Sequence, residues 1–212
     1  MKASASNPTG MLARLIRGKS HSYQDPGTAS RQRRVLDDGF DMRIAADGTW
    51  FYQGTPINRL PLVKLFASVL RREDDGEYWL VTPVERGRVR VEDAPFTAVE
   101  VTAEDAGPGQ RLIFRTNLDE IVALDEAHPL QSHPLQNLPP QNVPPQNVPP
   151  QNVNDSPSAA PRPYILVRDG LEARVLRSVY YHLVELGEQQ GEQFGVWSSG
   201  RFFPLGSLNP AL

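Results

Sequence analysis

An α+β fold in which one β-rich motif is used twice is what this sequence predicts. Two observations carry it. In the first copy Asp47-Gly48 joins Met42–Ala46 to Thr49–Gln53, an apolar helix pattern follows, and Tyr78–Thr82 leads into Pro83. In the second, Asp169-Gly170 joins Tyr164–Arg168 to Leu171–Leu176, and another helix pattern leads to Phe194–Trp197 and Pro204. Aligning the two helix patterns also pairs Arg59 with Arg177, Lys64 with His182 and Leu65 with Leu183.

The chain has 212 residues and no cysteine, so disulfides, thiolate nucleophiles and Cys-ligated zinc are excluded. Residues 1–37 read as a disordered basic tail. Up to residue 35 it holds Lys2, Arg14, Arg17, Lys19, Arg31, Arg33 and Arg34 against Asp25 alone, and it lacks the apolar stretch of a secretory signal. The net charge of −3 argues against a general nucleic-acid binder. No apolar run approaches the roughly 20 residues needed to span a bilayer, and a cytoplasmic location is expected.

The N-terminal motif is expected over 38–127. Asp47-Gly48 has the chemistry of a two-residue type I′ hairpin turn, which needs positive φ at both positions. Gln53-Gly54-Thr55-Pro56 makes a second turn, and Asn58 is a helix cap with Pro61 tolerated in the first turn. Leu62, Leu65, Phe66, Val69 and Leu70 recur at helical spacing and predict a helix near 59–71 with those side chains inward. Asp74-Asp75-Gly76 ends it. Strands are then expected at Glu77–Thr82, Arg88–Glu92, Phe96–Thr102, Arg111–Arg115 and Glu120–Asp125. In Arg88–Glu92 the alternation of Val89 and Val91 with charged residues gives the strand one buried face.

From His128 the chain repeats in pentads: HPLQS, HPLQN, LPPQN, VPPQN, VPPQN. Proline removes backbone donors, and Gln and Asn bring no apolar mass, so 128–162 is expected to be a disordered extended insert. The C-terminal motif follows over 163–206, with a helix near 178–190 whose apolar side is Val179, Tyr180, Leu183, Val184 and Leu186. Phe194–Trp197 and Arg201–Leu205 form a closing hairpin around Ser198-Ser199-Gly200, and 207–212 is a tail.

These residues carry a resemblance. The strings DGTWFYQGTPI, LVKLFASVLRRE, YWLVTPVE, VRVEDAPF, LIFRTN, PRPYILVRDGLEA and FGVWSSGRFFPLG resemble successive motifs of a bacterial family called domain of unknown function 1285, from about Asp38 to Gly206 outside the insert. The resemblance implies two structurally repeated β-rich motifs with curved antiparallel sheets, each with one helix. It implies no established reaction; signal transduction or ligand binding is what it suggests. The basic tail and the pentads depart from the family pattern.

Candidate chemistry is thin. Glu85, Glu92 and Asp93 invite an acid–base reading, but Glu92 and Asp93 are neighbours and a strand points neighbours to opposite faces. The expected role of Glu85 is an ion pair with a nearby Arg, and that of Asp93 a bond to its own turn backbone. His21, His128, His133 and His182 have no metal-ligand spacing, and Ser198-Ser199 has no evident His partner. No phosphate-binding glycine loop occurs, so no cofactor is expected. Arginines are the better feature. Arg59, Arg88, Arg90, Arg115, Arg168 and Arg177 lie on predicted strands and helix starts, and guanidinium groups bind carboxylates and phosphates and stack on Trp50 or Tyr52.

The expected function is therefore a noncatalytic ligand-binding or regulatory protein recognising a small anionic ligand or a protein partner. Its candidate ligand-binding residues are Trp50, Tyr52, Arg59, Arg90, Arg115, Arg168 and Arg177. The alternatives are a hydrolase using Glu85 or Asp93 with arginine assistance, and a structural, oligomeric subunit.

Overall fold

The computed structural model describes residues 34–36, 40–105, 109–133 and 162–208. The expectations for the rest of the tail, for the pentads beyond His133 and for 209–212 fall outside these residues. The fold is α+β: sixteen strands and two nine-residue helices among the described residues. The chain divides into two compact units after Val91, whereas the sequence grouped everything from 38 to 127 in one motif. The strands beyond residue 95 belong to the second unit because their ladder partners, β12 and β13 below, come from the C-terminal third.

The first unit contains β1 (Arg34–Leu36), β2 (Met42–Ile44), β3 (Trp50–Tyr52), β4 (Thr55–Pro56), α1 (Leu60–Ser68), β5 (Leu70–Arg72), β6 (Tyr78–Val81) and β7 (Glu85–Val91). They form one seven-stranded sheet in the order β4-β3-β2-β7-β6-β5, with β1 also on β7. The sheet is mixed rather than antiparallel. β2 and β1 both run parallel to β7 and occupy successive stretches of one edge, Met42 opposite Val89 and Arg34 opposite Glu85. Part of the expected tail is thus a strand.

The hairpin of β2 and β3 forms, but not with a two-residue turn. Gly48 N–H donates to Ala45 O at 2.9 Å, Ala45 N–H donates to Thr49 O at 2.9 Å, and of the Asp-Gly pair only Gly48 (φ 87°) is left-handed. Ala46 and Asp47 are therefore the turn centre, and Gly48 is the bulge residue that lets the strands re-pair. Arg59, not Asn58, sits at the N-cap of α1, without a side-chain cap bond, and Pro61 lies in the first turn as expected.

α1 buries Val63, Phe66 and Ala67, so its inward face is rotated from the expected one; Leu65 is exposed. The helix ends at Ser68, and Leu70 turns inward as the first residue of β5 instead of continuing the helix. Phe66 stacks on Trp50 with ring centroids 6.3 Å apart. Met42, Ile44, Leu70, Leu80 and Val89 share the Trp50 side of the sheet by register, each 2% exposed or less. Burying each such side chain contributes about 1.5–3 kcal/mol, which fixes α1 to one face of the sheet.

The second unit contains β8 (Phe96–Glu104), β9 (Arg111–Thr116), β10 (Ile121–Ala123), β11 (Leu130–His133), β12 (Arg162–Arg168), β13 (Leu171–Val175), α2 (Arg177–Glu185), β14 (Glu188–Gln190), β15 (Gln193–Ser198) and β16 (Arg201–Ser207). A six-stranded sheet runs β10-β9-β8-β13-β12-β11, and β14-β15-β16 form a separate three-stranded sheet. β8 and β13 are parallel, Phe96 opposite Ala173. Two expectations change here. The first pentad is not structureless, since Leu130–His133 pairs antiparallel with Arg162–Ile165. The last residues expected in the helix, Glu188–Gln190, are instead β14, paired with Gln193–Gly195.

Asp169 (φ 45°) and Gly170 (φ 73°) are both left-handed, so this second Asp-Gly turn is the two-residue kind. α2 packs on β8 and β15 through Val179 and Leu183, with Val184 left exposed. Phe96, Leu112, Phe114, Leu124, Ile165 and Leu171 fill the core of this unit. Hairpin, nine-residue helix and three-stranded antiparallel meander thus follow one another in each unit. Arg59 precedes the first helical residue of α1, while Arg177 is the first helical residue of α2.

Candidate functional site

Most of the arginines singled out in the sequence are held by carboxylates of their own unit. Arg90 lies 3.4 Å from Asp41. Arg115 bonds Glu100 at 2.7 Å and Asp119 at 3.2 Å, and the hydrogen bond to Glu100 is the main cause of its raised pKa. Arg168 grips Glu120 with two bonds of 3.0 and 3.1 Å and lies 5.5 Å from the Phe96 ring centroid. Arg177 donates to the Tyr181 hydroxyl at 3.0 Å. Arg59 is exposed beside α1. Trp50, at 1% exposure, is a core residue, and Tyr52 lies half-buried against Phe40. Trp50 and Tyr52 face the helix side of their sheet by register, while Arg90 is on the other face.

That other face gathers a group the sequence reading only touched. Alternation along β7 puts Arg86, Arg88 and Arg90 on one side and Gly87, Val89 and Val91 on the other. Register extends the arginine side: Arg43 stands opposite Arg90 and Phe51, and Trp79 stands opposite Arg88. The Arg86 guanidinium lies 3.8 Å from the Trp79 ring centroid, and that of Arg43 lies 4.1 Å from Phe51. Glu73, Glu77 and Asp41 supply carboxylates at 2.9, 2.5 and 3.4 Å to Arg86, Arg88 and Arg90. Even so, the Arg88 and Arg90 side chains are 63% and 69% exposed. Two buried donors in the stack, Trp79 Nε1 and Arg86 Nε, make no hydrogen bond. Arg86-x-Arg88-x-Arg90 was the available signal, a period-2 basic pattern in a strand.

In the second unit Asp93 does not bond its own turn. Tyr164 donates its hydroxyl to Asp93 Oδ1 at 2.6 Å, and Asp93 Oδ2 lies 3.2 Å from Arg174 Nε and 3.7 Å from Arg162 Nη1. The Asp93 side chain is 3% exposed. Burial, and then the bond to this carboxylate, push the Tyr164 pKa well above its ordinary value, so the phenol remains a donor. Glu85 is buried in the first unit, where its backbone and the Thr82 hydroxyl exchange bonds of 2.9 and 3.1 Å.

The serines of the last turn are structural. Ser198 is fully buried; its hydroxyl donates to Leu124 O at 2.6 Å and accepts from Leu112 N–H at 3.0 Å. His182 is exposed, and His128 caps Asp125, its Nδ1 at 3.1 Å and its backbone N–H at 2.9 Å from Oδ1. Burial pushes the Asp125 carboxyl up, but the bonds from His128 and from the Ala127 backbone outweigh it and hold the pKa below the usual value. Among the described residues no group of three or more His, Asp or Glu could hold a metal ion. None of the described helices is long and apolar enough to cross a membrane.

Comparison with known proteins divides the chain at nearly the same place as its contacts do. A model described as domain of unknown function (DUF1285), N-terminal domain, matches residues 36–94. One described as protein of unknown function (DUF1285), C-terminal domain, matches 95–140 and 149–205. The chain is similar to a crystal structure of a DUF1285 family protein from Silicibacter pomeroyi, with 38% identity and a TM-score of 0.72 over 95% of this chain and 97% of that one. A DUF1285 family protein from Shewanella baltica is 31% identical over 68% of this chain and 90% of that one, with a TM-score of 0.46. No curated protein matches.

Proposed function

The chain belongs to the DUF1285 family, and from that premise we propose that it is a noncatalytic binding protein with a regulatory or signalling role, recognising a small anionic ligand or a protein partner. The observation that carries this reading is the arginine-bearing open face of the first sheet, where guanidinium groups are presented on a rigid strand beside aromatic rings. Guanidinium groups placed this way recognise carboxylates and phosphates through paired N–H donors. The hydrolase alternative draws no support from Asp93, whose oxygens are engaged by Tyr164, Arg174 and Arg162 behind 3% exposure. A buried carboxylate already neutralised by cations is poorly placed to move a proton on a substrate. The recurrence of hairpin, helix and meander belongs to the same reading, as an internal duplication, and a cytoplasmic setting accompanies it.

A thermal-shift series with phosphorylated and carboxylated metabolites tests the proposal. A ligand that binds only the native state raises stability by about 2.7 kcal/mol at a hundredfold excess over Kd. An anion that shifts the unfolding midpoint, against no effect of its uncharged analogue, supports the small-ligand form. No shift with any of them removes that form.

A further inference from the structure

The face of β2, β3, β6 and β7 turned away from α1 has the composition of a docking surface, and we infer that it takes an acidic protein segment in extended conformation. This deepens the binding role proposed above and rests on it. Arg43, Arg86, Arg88 and Arg90 supply the charge, Phe51 and Trp79 the flat apolar floor. Alternate residues on a strand are about 6.6–6.8 Å apart, so the arginine ladder of β7 has the pitch of every second side chain in another extended chain. Acidic residues at alternate positions of such a segment meet Arg86, Arg88 and Arg90 in turn.

The carboxylates already present decide the chemistry of the partner. Glu77 and Asp41 hold Arg88 and Arg90 in pairs whose members are all more than a third exposed. Exposed pairs of this kind are worth about 0–1 kcal/mol, so incoming carboxylates exchange with them at little cost. Register adds Arg71, opposite Trp79, to this side, so Glu73, Glu77 and Asp41 offset three of its five arginines, and the whole chain carries −3. A nucleic acid needs a strong basic field drawn from many unneutralised cations, which this face does not offer. Carboxylates need local, directional donors, which it does offer.

The test uses the full chain and a fluorescent peptide of about ten residues, about 33 Å when extended, with Glu at alternate positions and Val or Thr between. The same peptide with Gln for Glu and an oligouridylate of matched length are the comparators. Expected is saturable binding of the Glu peptide that weakens with salt, at least about tenfold tighter than the Gln peptide and weakened about tenfold by Arg88→Glu with Arg90→Glu. Arg201→Glu, at the exposed start of β16 in the second unit, leaves it unchanged. If the Glu peptide binds but Arg88→Glu with Arg90→Glu does not weaken it, the docking face is overturned and the anion-binding role survives. Tighter binding of the oligouridylate overturns the acidic-segment assignment. Failure of the Glu peptide to bind overturns the docking proposal, while a positive metabolite shift would still leave the broader role standing.

Discussion

Replacing Asp93 by alanine should destabilise the protein strongly. The side chain is 3% exposed and meets Tyr164 at 2.6 Å and Arg174 at 3.2 Å. Removing one member of a buried ion pair costs about 3–5 kcal/mol, because the remaining charge is left without its counter-charge in a dry site. Arg174 keeps 23% exposure, which places the expected loss near the lower end, about 3 kcal/mol. Arg162, 3.7 Å away and 39% exposed, adds little because water screens it. Tyr164→Phe removes only the charged hydrogen bond and should lose about 1.5–3 kcal/mol. The two changes share a bond, so the double variant should fall short of their sum by about 1–2 kcal/mol. Urea unfolding of the full chain, read as a change in midpoint at constant slope, gives all three values. A loss below about 1 kcal/mol for Asp93→Ala, or strict additivity, would show that the cluster is not acting as argued. The pH dependence follows from Tyr164. Its folded pKa lies above the unfolded value of about 10, so its contribution is complete below pH 10 and disappears as pH rises through the folded value. Wild type should show this alkaline loss and Tyr164→Phe should not.

The remaining expectations concern packing and caps. Gly195→Ala puts a methyl 2.3 Å from the Phe203 carbonyl oxygen and 2.9 Å from Pro204 Cα, so it should cost at least the 1–3 kcal/mol typical of overpacking, about 3 kcal/mol by chemical denaturation. The three atoms nearest a methyl at Gly87→Ala all belong to the Phe40 ring, a side chain and not backbone, so it should cost less; equal losses would contradict the backbone clash. Ser198→Ala strips the buried Leu124 carbonyl and Leu112 amide of a partner and should lose about 1–3 kcal/mol, with faster hydrogen exchange at Leu112 as the local sign. Asp125 has a folded pKa below its unfolded value, so its contribution is complete above the unfolded value of about 3.9 and lost as pH falls through the folded one. An acid titration of stability should therefore be shallower in Asp125→Asn than in wild type.

Local signals in the sequence were enough for the hairpins and for the two helices, because Asp-Gly and an apolar period act over a few residues. They failed where the deciding contact is distant. Leu65 and Val63 are both apolar and both fit a helical stripe, and packing against the sheet, not spacing, selects the face that carries Val63. Leu70 prolongs the helical spacing, yet pairing with Leu80 makes it a strand residue. Glu188–Gln190 has no apolar alternation, since β14 is held by backbone pairing to β15 and all three side chains are exposed. The site shows the same division. The arginines were visible as a residue type, but Glu100 and Glu120, which occupy two of them, come from elsewhere along the chain. Tyr164 and Arg174 reach Asp93 only through the pairing of strands far apart in sequence, so nothing near Asp93 announced its burial.

The parallel pairing of β8 with β13 bears on how this protein is made. Every partner in the seven-stranded sheet lies within the first 91 residues, so that sheet can close while the ribosome is still translating the remainder. Phe96, by contrast, must wait for Ala173. At elongation rates of about 5–20 residues per second, the segment 134–161 alone lengthens that wait by about 1.5–6 s. Until that pairing is made, the edge of β8 that takes β13 stays open, and an open edge is a template for pairing with other chains.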